Sequence, residues 1–214
     1  MGEYFDITPV ISERMAVFPG DQPFRRQLAM SFGQGNHLEL SSVQTTVHLG
    51  AHADAPSHYT ADGVGIHERD LSLYMGACQV VRVVLKRGAR IRPSDVVGLK
   101  VQAERVLFYT GSYPNPDQWN EDFNSLSPEL IEMLYKQGVR LVGIDTPSID
   151  PAAAKDLLSH HAVARHDMAI LEGVVLEKVP EGLYTLIALP LRLAGLDASP
   201  VRAILLKRTA ALGL

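Results

Sequence analysis

HLGAHADAPSH, residues 48–58, sets three histidines and an aspartate among small residues within eleven positions. Neutral imidazoles and carboxylates are the usual ligands of zinc and similar divalent ions, and a site needs three or more converging from one side. Which backbone could achieve that is a matter of facing. On a helix His48 and His52 share a face, but at about 100° per residue Asp54 and His58 swing away from it. Pro56 would also break such a helix. In an extended chain His48, His52, Asp54 and His58 have the same parity, so one face can carry all four. The preceding SSVQTTV predicts a strand running into the stretch. Gly50, Ala51, Ala53 and Ala55 let the backbone bend and approach an ion closely. The segment therefore reads as an extended ladder of ligands.

Toward the N-terminus, YFDITPVI predicts a short strand ending at Pro9, and Pro19-Gly20-Asp21 marks a turn in an exposed loop. Phe18, just before that turn, has two readings: loop packing, or an aromatic wall for a ligand. From Phe24 to Val47 an antiparallel pair is expected, divided by a turn at Gly33 to Asn36. His37 reads as a surface histidine, and His67, in the turn-rich TADGVGIHERDLS, as solvated or locally bonded. Toward the C-terminus, ACQVVRVVL (77–85) predicts a strand and RPSDVVGLKV a short helix capped by Ser94. RVLFYT (105–110) predicts the next strand. The long connection GSYPNPDQWNEDF carries the single tryptophan, Trp119. A helix then starts at Ser127-Pro128, with Leu130, Ile131, Leu134 and Tyr135 as its apolar stripe, and RLVGID forms another strand. This β-α alternation, without repeat or linker, predicts an α/β fold in one domain spanning 1–214.

Asp150-Pro151 reads as the start of a further helix, PAAAKDLLSHH, with His160 and His161 near its end, where the dipole favours a cationic imidazole by about 0.3 to 1 kcal/mol. Glu172 interrupts the apolar MAILEGVVL, where a charge needs solvent, a partner or a metal. A Glu172-Gly173 turn is the alternative. Local features leave open which of the paired histidines would join Glu172. The last segment, LYTLIALPLRLAGLDASPVRAILL, reads as core with an interrupting LPLRLAG loop and a final strand-like VRAILL.

Composition narrows the function classes. With 46% hydrophobic residues and a formal charge of only -4, there is ample core and no general field to attract nucleic acid. No apolar run approaches the roughly 20 residues needed to cross a bilayer. MGEYFDITPV has neither a basic leader nor an apolar signal segment, so a cytoplasmic location is expected. Cys78 is the single cysteine, which leaves His, Asp and Glu as the ligands of any metal.

The two clusters, HxxxHxD with a nearby His and a His with Glu172 twelve residues after it, could converge on a pair of ions bridged by Asp54. Such a pair activates water and polarises a carbonyl. His58, past Pro56, is placed either to transfer protons or to serve as a further ligand.

HLGAHADAPSHY resembles the HxGxHxDxPxH metal motif of the cyclase-like hydrolases, especially bacterial kynurenine formamidases. FDITPVI, AVFPGD, GIDTPSIDP, SHHAVARHDMAILEG and LIALPLRLAGLDASPVRAIL resemble successive blocks of the same family, so the likeness runs over essentially the whole chain. It implies a homodimeric α/β fold of the swivelling β/β/α type, with mixed sheets and flanking helices. It also implies two zinc ions per subunit, with manganese or another divalent ion possible: one held by His48, His52 and Asp54, the second by Asp54, His160 and Glu172. His58 becomes the proton donor or acceptor, and His160 is selected over His161. His166 is left to a supporting or structural role. The implied reaction is hydrolysis of N-formyl-L-kynurenine to L-kynurenine and formate in tryptophan degradation. The alternatives are a related amide hydrolase such as an isatin hydrolase, or a non-catalytic metal-binding protein. In one place the chain departs from the family: Phe18 stands where AVWPGD has a tryptophan implicated in substrate contact. An aromatic face survives, but the indole N–H donor does not.

Overall fold

Residues 4–207 are described in the computed structural model. The remainder of the expected 1–214 span, 1–3 and 208–214, lies outside the described residues. In chain order the elements are β1 (Tyr4–Asp6), β2 (Arg25–Met30), β3 (Leu40–Gln44), β4 (His52–Asp54), β5 (Met75–Arg82), β6 (Arg90–Ile91), β7 (Arg105–Tyr109) and β8 (Ser125–Leu126). They continue with α1 (Pro128–Lys136), β9 (Leu141–Ile144), α2 (Leu158–Arg165), β10 (Ala169–Glu172), β11 (Gly182–Ile187), β12 (Ala198–Pro200) and β13 (Ile204–Lys207). The β-branched and leucine-rich strands β7, β9 and β10 need cover on both faces, and this demand organises the molecule. They lie in a nine-stranded sheet of order β1-β13-β11-β5-β7-β9-β10-β4-β12. Its four middle strands, β5 to β10, run parallel, and the strands on both sides are antiparallel to them.

Alternation divides the core in two. Val106, Phe108, Val142, Ile144 and Ile170 face Leu130, Ile131 and Leu134 of α1 and Ala162 and Val163 of α2. Leu107, Leu141 and Leu171 point the other way and pack with Cys78, Val80, Leu186 and Leu205 under Ile7, Ile66 and Tyr74. The α/β expectation holds, as a mixed sheet with helices on one face. The Phe24–Val47 pair forms as β2 and β3, a separate two-stranded sheet. The helix at Ser127 also forms as read: Ser127 Oγ accepts from Leu130 N at 3.2 Å and Pro128 opens α1.

Three local expectations are corrected. The extended ladder is real only over β4. The strand β3 stops at Gln44, Gly50 turns the chain at φ +58, and Pro56–His58 is a 3-10 turn. The helix expected from Asp150-Pro151 starts only at Leu158, because Leu157 sits in the left-handed region at φ 42 and cannot continue a right-handed turn. His160 and His161 are therefore in its first turn, and the C-terminal dipole reading fails. Asp150 still caps that helix, across the loop, by accepting from Ser159 N and His160 N. The turn at Pro93–Val96 is 3-10 and is capped at Arg92, whose N–H donates to Asp95 at 2.8 Å; Ser94 lies inside it.

Candidate metal centre

Strand register builds the inner half of the site. β4 and β10 pair antiparallel with Glu172 opposite His52 and Ile170 opposite Asp54. Opposed residues share a face, so His52, Asp54 and Glu172 all project toward α2, on the side of the sheet that carries Ile170. From the first turn of α2, His160 meets them. His52, Asp54, His160 and Glu172 are buried, with side chains at most 3% exposed. His161, one residue on, is exposed.

The two oxygens of Asp54 face different partners. Oδ1 lies 3.0 Å from His48 Nδ1 and 3.4 Å from His52 Nε2, whereas Oδ2 lies 3.4 Å from His160 Nε2. Glu172 spans the same divide, with Oε2 3.2 Å from His52 Nε2 and Oε1 3.6 Å from His160 Nε2. Ligand atoms on a tetrahedral zinc with bonds near 2.0–2.2 Å are about 3.4 Å apart, the separation seen here. His52 Nε2 and both Asp54 oxygens are buried without a hydrogen-bond partner. Buried polar atoms left in that state are strongly disfavoured, and a divalent cation satisfies all of them at once, so the residues present fit a metal.

Outer contacts orient these donors. His52 Nδ1 bonds the Gly50 carbonyl at 2.9 Å, and His160 Nδ1 bonds Asp150 Oδ2 at 2.9 Å, which leaves Nε2 of each ring for the centre. The Gly50 carbonyl is held close to Gly173, where φ is +66 and a Cβ would come within 2.1 Å of it. Only glycine fits there. Ile149 N donates to Glu172 Oε1 at 2.7 Å. Burial alone would push the His52 and His160 imidazoles down, but the surrounding carboxylates outweigh it and raise both to about 10. Burial would raise Asp54, yet its histidine partners hold it well below the usual carboxylate range. Asp54 thus stays ionised, and the nitrogens facing it bind either protons or a cation.

The outer half stands on turns. His48 is 17% and His58 32% exposed, and both contact Asp197. One donor atom from each member of three groups, His48-His52-Asp54, Asp54-His58-His160 and His48-His58-Asp197, lies within 4.8 Å of the others. Beyond them a cavity of about 630 Å³ opens, lined in part by Phe18, Tyr113 and Trp119. Phe18 packs edge-on to Trp119 with centroids 5.0 Å apart, so loop packing and cavity wall are both true of it. His166 stacks on Tyr135 at 3.8 Å and bonds Glu132, away from the centre. His67 is half-buried and accepts from Gly195 N at 3.4 Å, a contact 128 residues away in sequence rather than the solvated or locally bonded state expected, and His37 is exposed.

The sequence profile of the Cyclase family matches residues 5–151, which include the 48–58 segment and Asp150. The chain belongs to the Cyclase family. A potential metal-dependent hydrolase with cyclase activity is 28% identical, with 98% of this chain and 100% of that one aligned at a TM-score of 0.84. A predicted metal-dependent hydrolase from Bacillus stearothermophilus is also 28% identical, over 97% and 100% of the chains, at 0.82. Isatin hydrolase A from Labrenzia aggregata, solved with benzyl benzoate, shares the fold at 21% identity, over 95% and 93%, with a TM-score of 0.78. The cyclase-like fold implied by the sequence blocks is therefore the fold of this chain, and the family is one of metal-dependent hydrolases. Among the described residues no helix is long and apolar enough to cross a membrane.

Proposed function

We propose that the chain is an arylformamidase that hydrolyses N-formyl-L-kynurenine to L-kynurenine and formate. The observation that carries this reading is a buried His-carboxylate cluster, divided by the two oxygens of Asp54, opening onto a cavity walled by Phe18, Tyr113 and Trp119. His48, His52 and Asp54 would hold one divalent ion, and Asp54, His160 and Glu172 a second; zinc suits the N/O donor set, with manganese the alternative. Bound ions of this kind supply Lewis-acid polarisation and activate water near neutral pH.

The chain's own residues do the rest. The aromatic wall takes the aryl ring and so directs its formamide toward the cluster. His58 is more exposed than the inner residues and lines the cavity, and its Nδ1 is taken by Asp197, which leaves Nε2 for proton transfer. As water adds to the formyl carbon, His58 Nε2 takes a proton from it, and as the C–N bond breaks the same nitrogen passes that proton to the departing aryl nitrogen, giving the amine and formate. A homodimer in the cytoplasm completes the proposal, in keeping with the family resemblance.

Turnover of N-formyl-L-kynurenine by metal-replete and chelated protein tests it. Activity lost on chelation and restored by zinc supports the reading. An aromatic cavity of this size also admits a bicyclic lactam, so isatin is assayed beside the formamide. Preference for isatin would replace arylformamidase with lactam hydrolase, and bound metal without turnover of either would make the protein a metal binder.

A further inference from the structure

Asp197 lies in the LIALPLRLAGLDASPVRAIL block but has no histidine or carboxylate neighbour in sequence; strand register ties it to the centre. It immediately precedes β12, whose Ala198 pairs with Asp54, and its carbonyl accepts from Ala55 N at 2.8 Å. The loop before it is pinned as well: Leu196 O accepts from Ile66 N at 2.9 Å, and Gly195 N donates to His67. The backbone thus presents the Asp197 carboxylate between two rings. A single oxygen, Oδ2, lies 3.0 Å from His48 Nε2 and 3.1 Å from His58 Nδ1. Those rings are 4.1 Å apart, centroid to centroid.

An ionised carboxylate only accepts, so each facing nitrogen must carry a hydrogen. A neutral imidazole has one N–H, and placing it fixes the role of the other nitrogen. For His48 that leaves the lone pair on Nδ1, the atom beside Asp54 Oδ1. For His58 it leaves the lone pair or exchangeable proton on Nε2. We infer that Asp197 is a positioning residue that sets the tautomers of His48 and His58 together, assigning one ring to the buried centre and the other to proton transfer. The part concerning His58 rests on the formamidase reading; the tautomer assignment does not.

The test is a two-bond 1H–15N correlation spectrum of zinc-loaded protein labelled at histidine, which needs no substrate, recorded for wild type, Asp197→Ala and Asp197→Asn. In wild type His58 should show a protonated Nδ1, and His48 a protonated Nε2. In Asp197→Ala the His58 pattern should become a mixture of tautomers. In Asp197→Asn, whose amide oxygen still accepts, the single tautomer should return. At saturating zinc, kcat for the formamide should fall about 10–100-fold in the alanine variant, with KM little changed and partial recovery in the asparagine variant. A His58 Nδ1 that is metal-bound in wild type would make Asp197 and His58 a cation site and overturn the inference. So would unchanged tautomers and kcat in Asp197→Ala. If formamide turnover is absent while the tautomers respond, the formamidase reading fails and the assignment stands.

Discussion

The inner and outer halves of the centre are built differently. His52, Asp54 and Glu172 sit on paired strands and His160 on a capped helix, all buried. His48, His58, Asp197 and Phe18 stand on turns and loops with partial exposure. Paired strands fix donors to within the tolerance that a metal demands, whereas turns at the rim permit access and small adjustments during proton transfer. On the proposed reading the inner half holds the ions, with His48 reaching in from the rim beside Asp54 Oδ1, and His58 and Phe18 of the outer half act on the substrate.

Breaking the inner half should have the largest effect. Asp54→Asn is expected to abolish turnover and reduce bound metal, measured by elemental analysis. It should also lower the stability of the metal-free protein by about 3–5 kcal/mol, because it strands buried cationic histidines. Retained metal and turnover would erase the distinction between the halves. His58→Ala should lower kcat about 10²–10⁴-fold while metal content stays at the wild-type level. Loss of metal in that variant would move His58 into the ligand set.

Stability against pH sharpens the contrast. In chelated protein the raised His52 and His160 contribute stability that is fully present below their ordinary value of 6.5 and is lost as pH rises toward about 10. Asp54 is depressed, so its contribution changes only in acid, outside that window. Calorimetry should therefore show Tm of the chelated protein falling from pH 6.5 to 10. Zinc should add its largest stabilisation at the alkaline end, since metal and protons compete for the same nitrogens. The smallest effect is expected at the rim: Phe18→Ala should raise KM about fivefold, as for loss of an aromatic contact of about 1 kcal/mol, and leave unfolding within about 0.5 kcal/mol of wild type.

Much of the centre is legible in the sequence. The density of His48, His52 and Asp54 and the awkward charge of Glu172 mark the centre because few other environments accept them. The strands β5, β7 and β9 announce themselves by β-branched runs. The path of the backbone is harder to read. Equal parity suggested a ladder, but Gly50 and Pro56 bend the chain and the donors converge through turns. Asp150-Pro151 has the local signature of a helix start, while the helix it caps begins eight residues after it, behind a left-handed Leu157. Such capping depends on tertiary contact, which local propensity does not encode. Asp197 was missed because it lies 139 residues from His58 in sequence, and only the β4–β12 register brings the two together.

The most direct test of the central claim is an anomalous-difference map from zinc-loaded crystals. Peaks against Asp54, one beside His48 and His52 and one beside His160 and Glu172, are the predicted result. A peak held instead by His48, His58 and Asp197, or no peak at Asp54, would contradict it.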